Sequence, residues 1–206
     1  CDVLIVGAGV TGAAIAYACA RLTNVRRIIV VEKNARAAEV NSHPMNNSQT
    51  SHDGGTETNY NLAHAKEVQY AERLLRSYIL SRNEPGLFRQ THRMVLGVGA
   101  AERALLKRRY EEFRKDYPDI RYVGRDELAA LEPKLIEGRD PHEEVSALVS
   151  DEGYAVNYQQ LAESFLSRAG ELNSDMRVFF HTRIMRIERH SDWYAVTTAD
   201  GTVFRT

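Results

Sequence analysis

Cysteine is scarce in this sequence, with Cys1 and Cys19 the only two among 206 residues. Two thiols cannot build a disulfide framework, and neither sits in a metal-ligand spacing or beside an evident base. Both read as structural, in a reducing compartment such as the cytoplasm. An excess of charge is also missing. The 27 basic and 28 acidic residues leave a net charge of −1 and are interspersed along the chain, so nothing argues for nucleic acid as a partner. The cluster Lys107-Arg108-Arg109 is followed at once by Glu111-Glu112 and reads as a solvated helix face. A long apolar run is lacking too, except that residues 3–20 carry no charge. A membrane span or a signal peptide is rejected there. Asp2 stands where a basic flank would be, and glycines interrupt any helix. Peripheral contact with a membrane stays open. The chain starts with cysteine rather than methionine, and residues 202–206 look like a strand cut off as it begins to pair. Part of a longer protein is therefore expected.

The feature around which the rest is organised is the stretch Val3 to Tyr17, which holds Gly7-Ala8-Gly9-Val10-Thr11-Gly12. It reads as a buried strand, a glycine turn and the start of a helix, the arrangement that sets a dinucleotide pyrophosphate on a helix N-terminus. Gly7 lets the chain turn, Gly9 removes a Cβ that would block phosphates, and Gly12 lets helix and strand approach. The amides of this turn, through Val10 and Thr11, face the phosphate charge. Ile28 to Val31 is a β-branched run suited to a buried parallel strand. It ends at Glu32, twenty residues beyond Gly12, with Lys33 beside it. A carboxylate there accepts hydrogen bonds from an adenosine ribose and repels a 2′-phosphate, which favours FAD or NAD over NADP.

Residues 33–59 lack periodicity and are crowded with small polar side chains and glycine. A loop this long is functional or disordered, and two histidines, an acid and Tyr60 make it richer than a flexible linker. Residues 61–82 predict an amphipathic helix capped by Asn61, with Leu62, Ala65, Val68, Ala71, Leu74, Leu75, Tyr78 and Ile79 on one stripe. A strand over 91–98 follows, then helices near 101–115 and 126–131, the first with Leu105, Leu106, Tyr110 and Phe113 as its core stripe. Residues 145–149 predict a short strand, and 158–169 a helix capped by Asn157. The end reads as antiparallel throughout: 178–180, 183–188, 193–198, a turn at Asp200-Gly201 and the cut strand. The fold class is α/β, a Rossmann-like domain with an inserted α+β segment and a C-terminal antiparallel β-meander.

This order of elements resembles the FAD-binding domain of the large flavoprotein oxidoreductases, the family that includes D-amino-acid oxidase, glycerol-3-phosphate dehydrogenase and malate:quinone oxidoreductase. The resemblance implies FAD rather than NAD, with the domain formed by 1–60 and 145–206 and with 61–144 inserted on the substrate side. It implies also that the strand holding Ile184 lies near the adenine. Asn46-Asn47, Thr50, His52, Glu57 and Asn59-Tyr60 resemble the signature of malate:quinone oxidoreductase, and Gly153 to Tyr158 is similar to that group as well. Ser48-Gln49 and Asp53-Gly54-Gly55 depart from the commonest form of the motif, in place of smaller or more apolar residues, as in a divergent branch or a protein for another 2-hydroxy acid. The function implied is FAD-dependent oxidation of (S)-malate to oxaloacetate, with electrons passed to a membrane quinone and a place on the inner face of the cell membrane. Alternatives are a related flavoprotein acting on another 2-hydroxy acid or an amino acid, and a binding module without redox chemistry.

Oxidising a carbinol requires a base within reach of the hydroxyl. His52 has a suitable side chain; orienting the flavin or fixing the loop is an equal role for it, and the base could lie outside these residues. Ser48, Gln49 and Thr50 are candidate donors and acceptors around the flavin ring and ribitol. Glu57 and Asn59 read as caps of the next helix. Arg93 is either a clamp for a substrate carboxylate or an ordinary surface arginine.

Overall fold

A computed structural model describes residues 1–206. The chain divides into two compact units, one made of Cys1–Gln49 with Asn157–Thr206, the other of Thr50–Val156. Residues 50–60 and 145–156 therefore lie with the inserted unit, where the sequence-based division had put them with the nucleotide domain.

In the first unit, β1 (Val3–Val6), α1 (Val10–Leu22) and β2 (Ile28–Val31) form the expected β-α-β turn of chain. β2 is the middle strand, parallel to β1 on one side and to β6 (Arg177–Phe179) on the other. That position explains its β-branched run, since Ile28, Val30 and Val31 are buried. The strand at 177–179 is thus not part of the antiparallel end. The helix α5 (Tyr158–Leu172) carries the chain back over the sheet, and a helical crossover returns a strand parallel to its neighbour. α1 and α5 pack through small residues, Ala13, Ala16 and Ala169, with Tyr17 and Phe165 rings 5.5 Å apart. Only β7 (Ile184–Arg189), β8 (Tyr194–Thr198) and β9 (Val203–Arg205) make the antiparallel meander. Asn157 caps α5 by accepting from the Gln160 amide at 3.1 Å.

The second unit is an antiparallel sheet in the order β3 (Phe88–Val98), β5 (Val145–Val156), β4 (Ile120–Gly124), with α2 (Leu62–Arg82), α3 (Gly99–Phe113) and α4 (Arg125–Leu131). β5 runs to twelve residues rather than five, through the polar stretch Asp151-Glu152-Gly153. β3 carries it there: Phe88, Arg89 and Gln90 pair with Val156, Ala155 and Tyr154. Between Thr91 and Arg93 the register shifts, with Asp151 and Glu152 of β5 set against the single residue His92 of β3, a bulge that bends β5. α2 begins where expected, with the Asn61 side chain accepting from His64 N at 2.9 Å. Its buried residues are Ala65, Glu72 and Ile79, whereas Leu74 from the expected stripe is exposed. Burial pushes the Glu72 carboxyl above its ordinary range, with Arg76 3.6 Å away working against the shift. No helix is long and apolar enough to cross a membrane.

Phe113 and Tyr117 stack with centroids 5.7 Å apart in a core with Ala65 and Ile120. The Tyr117 hydroxyl is buried and donates to the Asp53 carbonyl at 3.1 Å. Burial, helped by the charges of Asp53 and Glu57, pushes this phenol from 10.0 to about 12. Its folded value lies above its unfolded one, so the stability it supports is complete below the unfolded value and drains away as pH rises through the window between them. Urea midpoints measured from about pH 9 to about pH 11 are expected to fall more steeply for the native protein than for Tyr117→Phe. Equal slopes would show that this phenol does not govern alkaline stability.

Candidate functional site

The first candidate region is the glycine turn. Gly7 adopts φ +100° and donates to Val31 O at 2.7 Å, which ties the turn to the end of β2. A Cβ on Gly12 would fall on the Gly7 carbonyl oxygen, deep inside van der Waals contact. Gly9 is the N-cap of α1 and supplies no side-chain cap, and Ser42 Oγ accepts from the Val10 amide at 3.1 Å. The amides of Thr11 and Gly12 belong to the turn whose N–H groups have no partner inside the helix. Buried Glu32 reaches back to this turn. Its Oε2 accepts from Ala8 N at 2.8 Å, and its Oε1 accepts from Asn34 N and Nδ2 at 2.9 and 2.8 Å.

Gly9, Glu32 and Lys33 line one cleft of about 270 Å³ with Asn34, Asn41 and Ser42. Glu32 Oε2, with one bond made, keeps a lone pair for a hydroxyl. A glycine turn packed so closely on its helix that Gly12 has no room for a Cβ, with a carboxylate fixed at its rim, fits the ADP half of a dinucleotide. Ile184 opens β7 in the same unit, opposite Thr198, and is not among the residues of that cleft.

Ser48, Gln49 and Thr50 fall on both sides of the division between units. Gln49 has φ +56° and accepts from the Tyr158 amide at 3.1 Å with its side-chain oxygen, so it helps to start α5. Thr50 forms a β-bridge with Ala155.

The second region is a polar cleft of about 290 Å³ in the inserted unit, lined by Thr50, His52, Glu57, Thr91, His92 and Arg93 among others. His52 Nδ1 lies 2.7 Å from Glu57 Oε1. The same oxygen is 3.8 Å from Arg93 Nη1, and Arg93 Nη2 is 2.5 Å from Asp53 Oδ2. Arg93 also donates to Ser51 O at 3.3 Å. It is buried, so it is no surface arginine, and its charge is met by two of the protein's own carboxylates. Glu57 does not cap α2, because Asn61 does that work and Glu57 binds His52 instead.

Asp53 is the hub that sequence reasoning passed over. It accepts from Gly55 N at 2.8 Å, holds Arg93, and takes the Tyr117 hydroxyl on its carbonyl. Gly54 has φ +89°, and a Cβ there would sit 2.6 Å from Ala65 O and 2.7 Å from Ala65 Cα, so the loop lies directly on α2. Arg109, read from its charge run as solvated, is buried and donates to Gly55 O, Tyr60 O and Gly54 O at 3.2, 2.8 and 2.9 Å. Its guanidinium lies 3.8 Å from the Phe113 ring centroid. Burial weakens its hold on its proton, and Glu57 works against that shift. An acid followed by two glycines was the available sign of a locked turn. Nothing in its own neighbourhood marks Arg109.

A dinucleotide cradle on a parallel sheet, joined in one chain to an α+β unit with a polar cleft, defines a class of two-part nucleotide-dependent enzymes. The model of the family of FAD-dependent oxidoreductases related to D-amino-acid oxidase matches residues 2–206, and the chain belongs to that family. It is 34% identical over 207 residues to a probable malate:quinone oxidoreductase of Campylobacter jejuni, covering 97% of this chain and 46% of that protein. It is 32% identical over 209 residues to the malate:quinone oxidoreductase of Helicobacter pylori, with the same coverage. The chain thus spans about half the length of these relatives. Among solved structures, L-α-glycerophosphate oxidase from Mycoplasma pneumoniae with FAD bound superimposes with a TM-score of 0.77 at 22% identity, over 98% of this chain and 50% of that one. Glycine oxidase from Geobacillus kaustophilus gives 0.74 at 20% identity, over 98% and 52%. The fold is that of FAD-dependent oxidoreductases.

Proposed function

We propose that the protein containing these residues oxidises (S)-malate to oxaloacetate with FAD and passes the electrons to a membrane quinone, working at the inner face of the cell membrane. The observation that carries this is the identity with malate:quinone oxidoreductases, sustained over 97% of the chain. Gly7, Ala8, Gly9, Val10, Thr11, Gly12, Glu32 and Lys33 would hold the ADP half of FAD, with Ile184 near the adenine. Ser48, Gln49 and Thr50 would serve the ribitol and ring. Bound FAD supplies the acceptor for the two electrons and the hydrogen that leave the carbinol carbon.

His52 is the base for the substrate hydroxyl proton, set in the cleft with Thr50 and Thr91. Asp53, Glu57 and Arg93 together carry a formal charge of −1, which suits a histidine that becomes cationic as it takes a proton. The same charge repels a dicarboxylate. Cations from the remainder of the protein therefore have to meet the substrate carboxylates, and Arg93 is not free to do so.

The test uses the purified whole protein. A flavin absorbance spectrum, with reduction of a quinone analogue that depends on malate, is the expected result. Flavin present without malate-dependent reduction would remove the substrate, and absence of flavin would leave only a binding module. A second outcome has specific support, because two solved proteins of this fold are named as oxidases. Rapid peroxide formation with another 2-hydroxy acid or an amino acid would favour that alternative.

A further inference from the structure

The cleft holds one group whose part in the chemistry is still to be assigned. Glu57 is largely buried, its side chain 12% exposed. Its Oε1 takes the His52 contact at 2.7 Å, while its Oε2 is buried with no hydrogen-bond partner. An unpartnered buried carboxylate oxygen is costly and persists where something else requires the carboxylate. The loop does not need Glu57 for its shape, since Asp53, Arg109 and Tyr117 already fix Gly54, Gly55 and Tyr60. Glu57 Oε1 faces Arg93 Nη1 at 3.8 Å and meets the ring of His52 more closely, at 2.7 Å, and a carboxylate can only accept.

We infer that Glu57 is a positioning residue that keeps the hydrogen of neutral His52 on Nδ1, so that Nε2 is the nitrogen that receives the substrate proton. In the step, the O–H bond of the substrate hydroxyl breaks and its proton goes to Nε2. Bound FAD would take up the hydrogen on carbon with its electron pair, which leaves the substrate as the carbonyl. Nδ1–H stays in place throughout, and the imidazolium that results lies against Glu57 Oε1. Arg93 and Asp53 complete the row, Arg93 between the two carboxylates and 2.5 Å from the outer one. With His52 protonated the four groups sum to zero charge, which is the balance a base needs after it has taken its proton. The roles resemble those in other histidine–carboxylate pairs, where the wrong tautomer costs orders of magnitude in rate. The inference rests on His52 being the base of the proposed reaction.

Two measurements test it on the full-length flavoprotein. In the first, histidine is labelled with ¹⁵N and the signals are read at alkaline pH, once they no longer change as pH is raised. The His52 signals are identified by their loss in His52→Gln. Hydrogen on Nδ1 is expected in the native protein, with a mixed or reversed pattern in Glu57→Gln, whose amide can present a donor as easily as an acceptor. Hydrogen on Nε2 in the native protein would overturn the inference by itself. In the second, the rate of substrate-driven flavin reduction is followed without oxygen. Glu57→Gln is expected to lower the limiting rate on the order of a hundredfold, with half-saturation changed only a few-fold. Added to His52→Gln, it is expected to have no further effect, because its influence passes through that ring. An equal loss in both backgrounds, or none in either, would reduce Glu57 to a loop contact. If malate does not reduce the flavin, the proposed substrate fails; the tautomer measurement still decides between an Nδ1–H histidine held by Glu57 and none.

Discussion

Gly12→Ala is expected to yield protein stripped of FAD. The added Cβ would coincide with the carbonyl oxygen of Gly7, and both groups belong to backbone rather than to a side chain that could swing aside. Gly7 is tied to Val31 at the end of β2, and Ala8 to Glu32, so the turn cannot open without giving up its anchors on the second strand. Either α1 lifts from the strand or the turn unwinds, and in both cases the amides of Thr11 and Gly12 lose their aim at a pyrophosphate. Flavin retained through gel filtration, measured by absorbance per protein, is expected to drop at least about tenfold. A variant that keeps its full flavin would show that the cradle yields where the geometry says it cannot.

Arg109→Met should have the largest effect on stability among single changes in the inserted unit. One guanidinium satisfies three buried or half-buried carbonyls of the segment 54–60 and lies over Phe113. Methionine fills much of the volume and bonds none of them. Leaving buried acceptors unpaired costs about 1–3 kcal/mol each, so a loss of roughly 3 kcal/mol or more is expected in urea unfolding. Arg109→Lys should recover only a part, because a single ammonium cannot span the three carbonyls that a planar fork reaches. If lysine restored full stability, the charge rather than the fork would be what holds the loop. A loosened 54–60 segment would also disturb Glu57 and, through it, His52, so activity should fall along with stability.

The difference between Gly12 and Arg109 shows what local sequence can carry. The glycine turn, Glu32 and the caps Asn61 and Asn157 were legible because each works within a few residues or on a fixed spacing, and their chemistry is dictated by backbone geometry. The direction of β6 was not, since three residues carry no sign of whether their partner runs parallel. β2, almost 150 residues earlier, decides it. The full length of β5 was hidden for a similar reason: Asp151 and Glu152, which bulge out of the ladder, look like a loop until β3 pairs with residues 153–156 beyond them. Arg109 looked solvated among charged neighbours, because its carbonyl partners are some fifty residues away in the chain. Glu57 looked like a helix cap. Its position before α2 suited that role, and only the fold showed His52 within bonding distance.

Beside the bulge in β5, two distant positions are bound to one another. Thr91 pairs with Gly153, and a Cβ at 153 would lie 2.6 Å from Thr91 O and closer still to the Arg93 side chain. The stem of Arg93 occupies the space that a side chain on β5 would take. A descendant of this chain that gained any side chain at 153 would have to expel the arginine, and with it the counter-charge between Asp53 and Glu57. Position 153 is therefore tied to a residue sixty positions away, and cannot change before position 93 does. Lineages that keep the arginine should be held to glycine opposite it, and those that abandon it must neutralise the two acids by some other means and still move the Thr91 carbonyl before a side chain fits at 153.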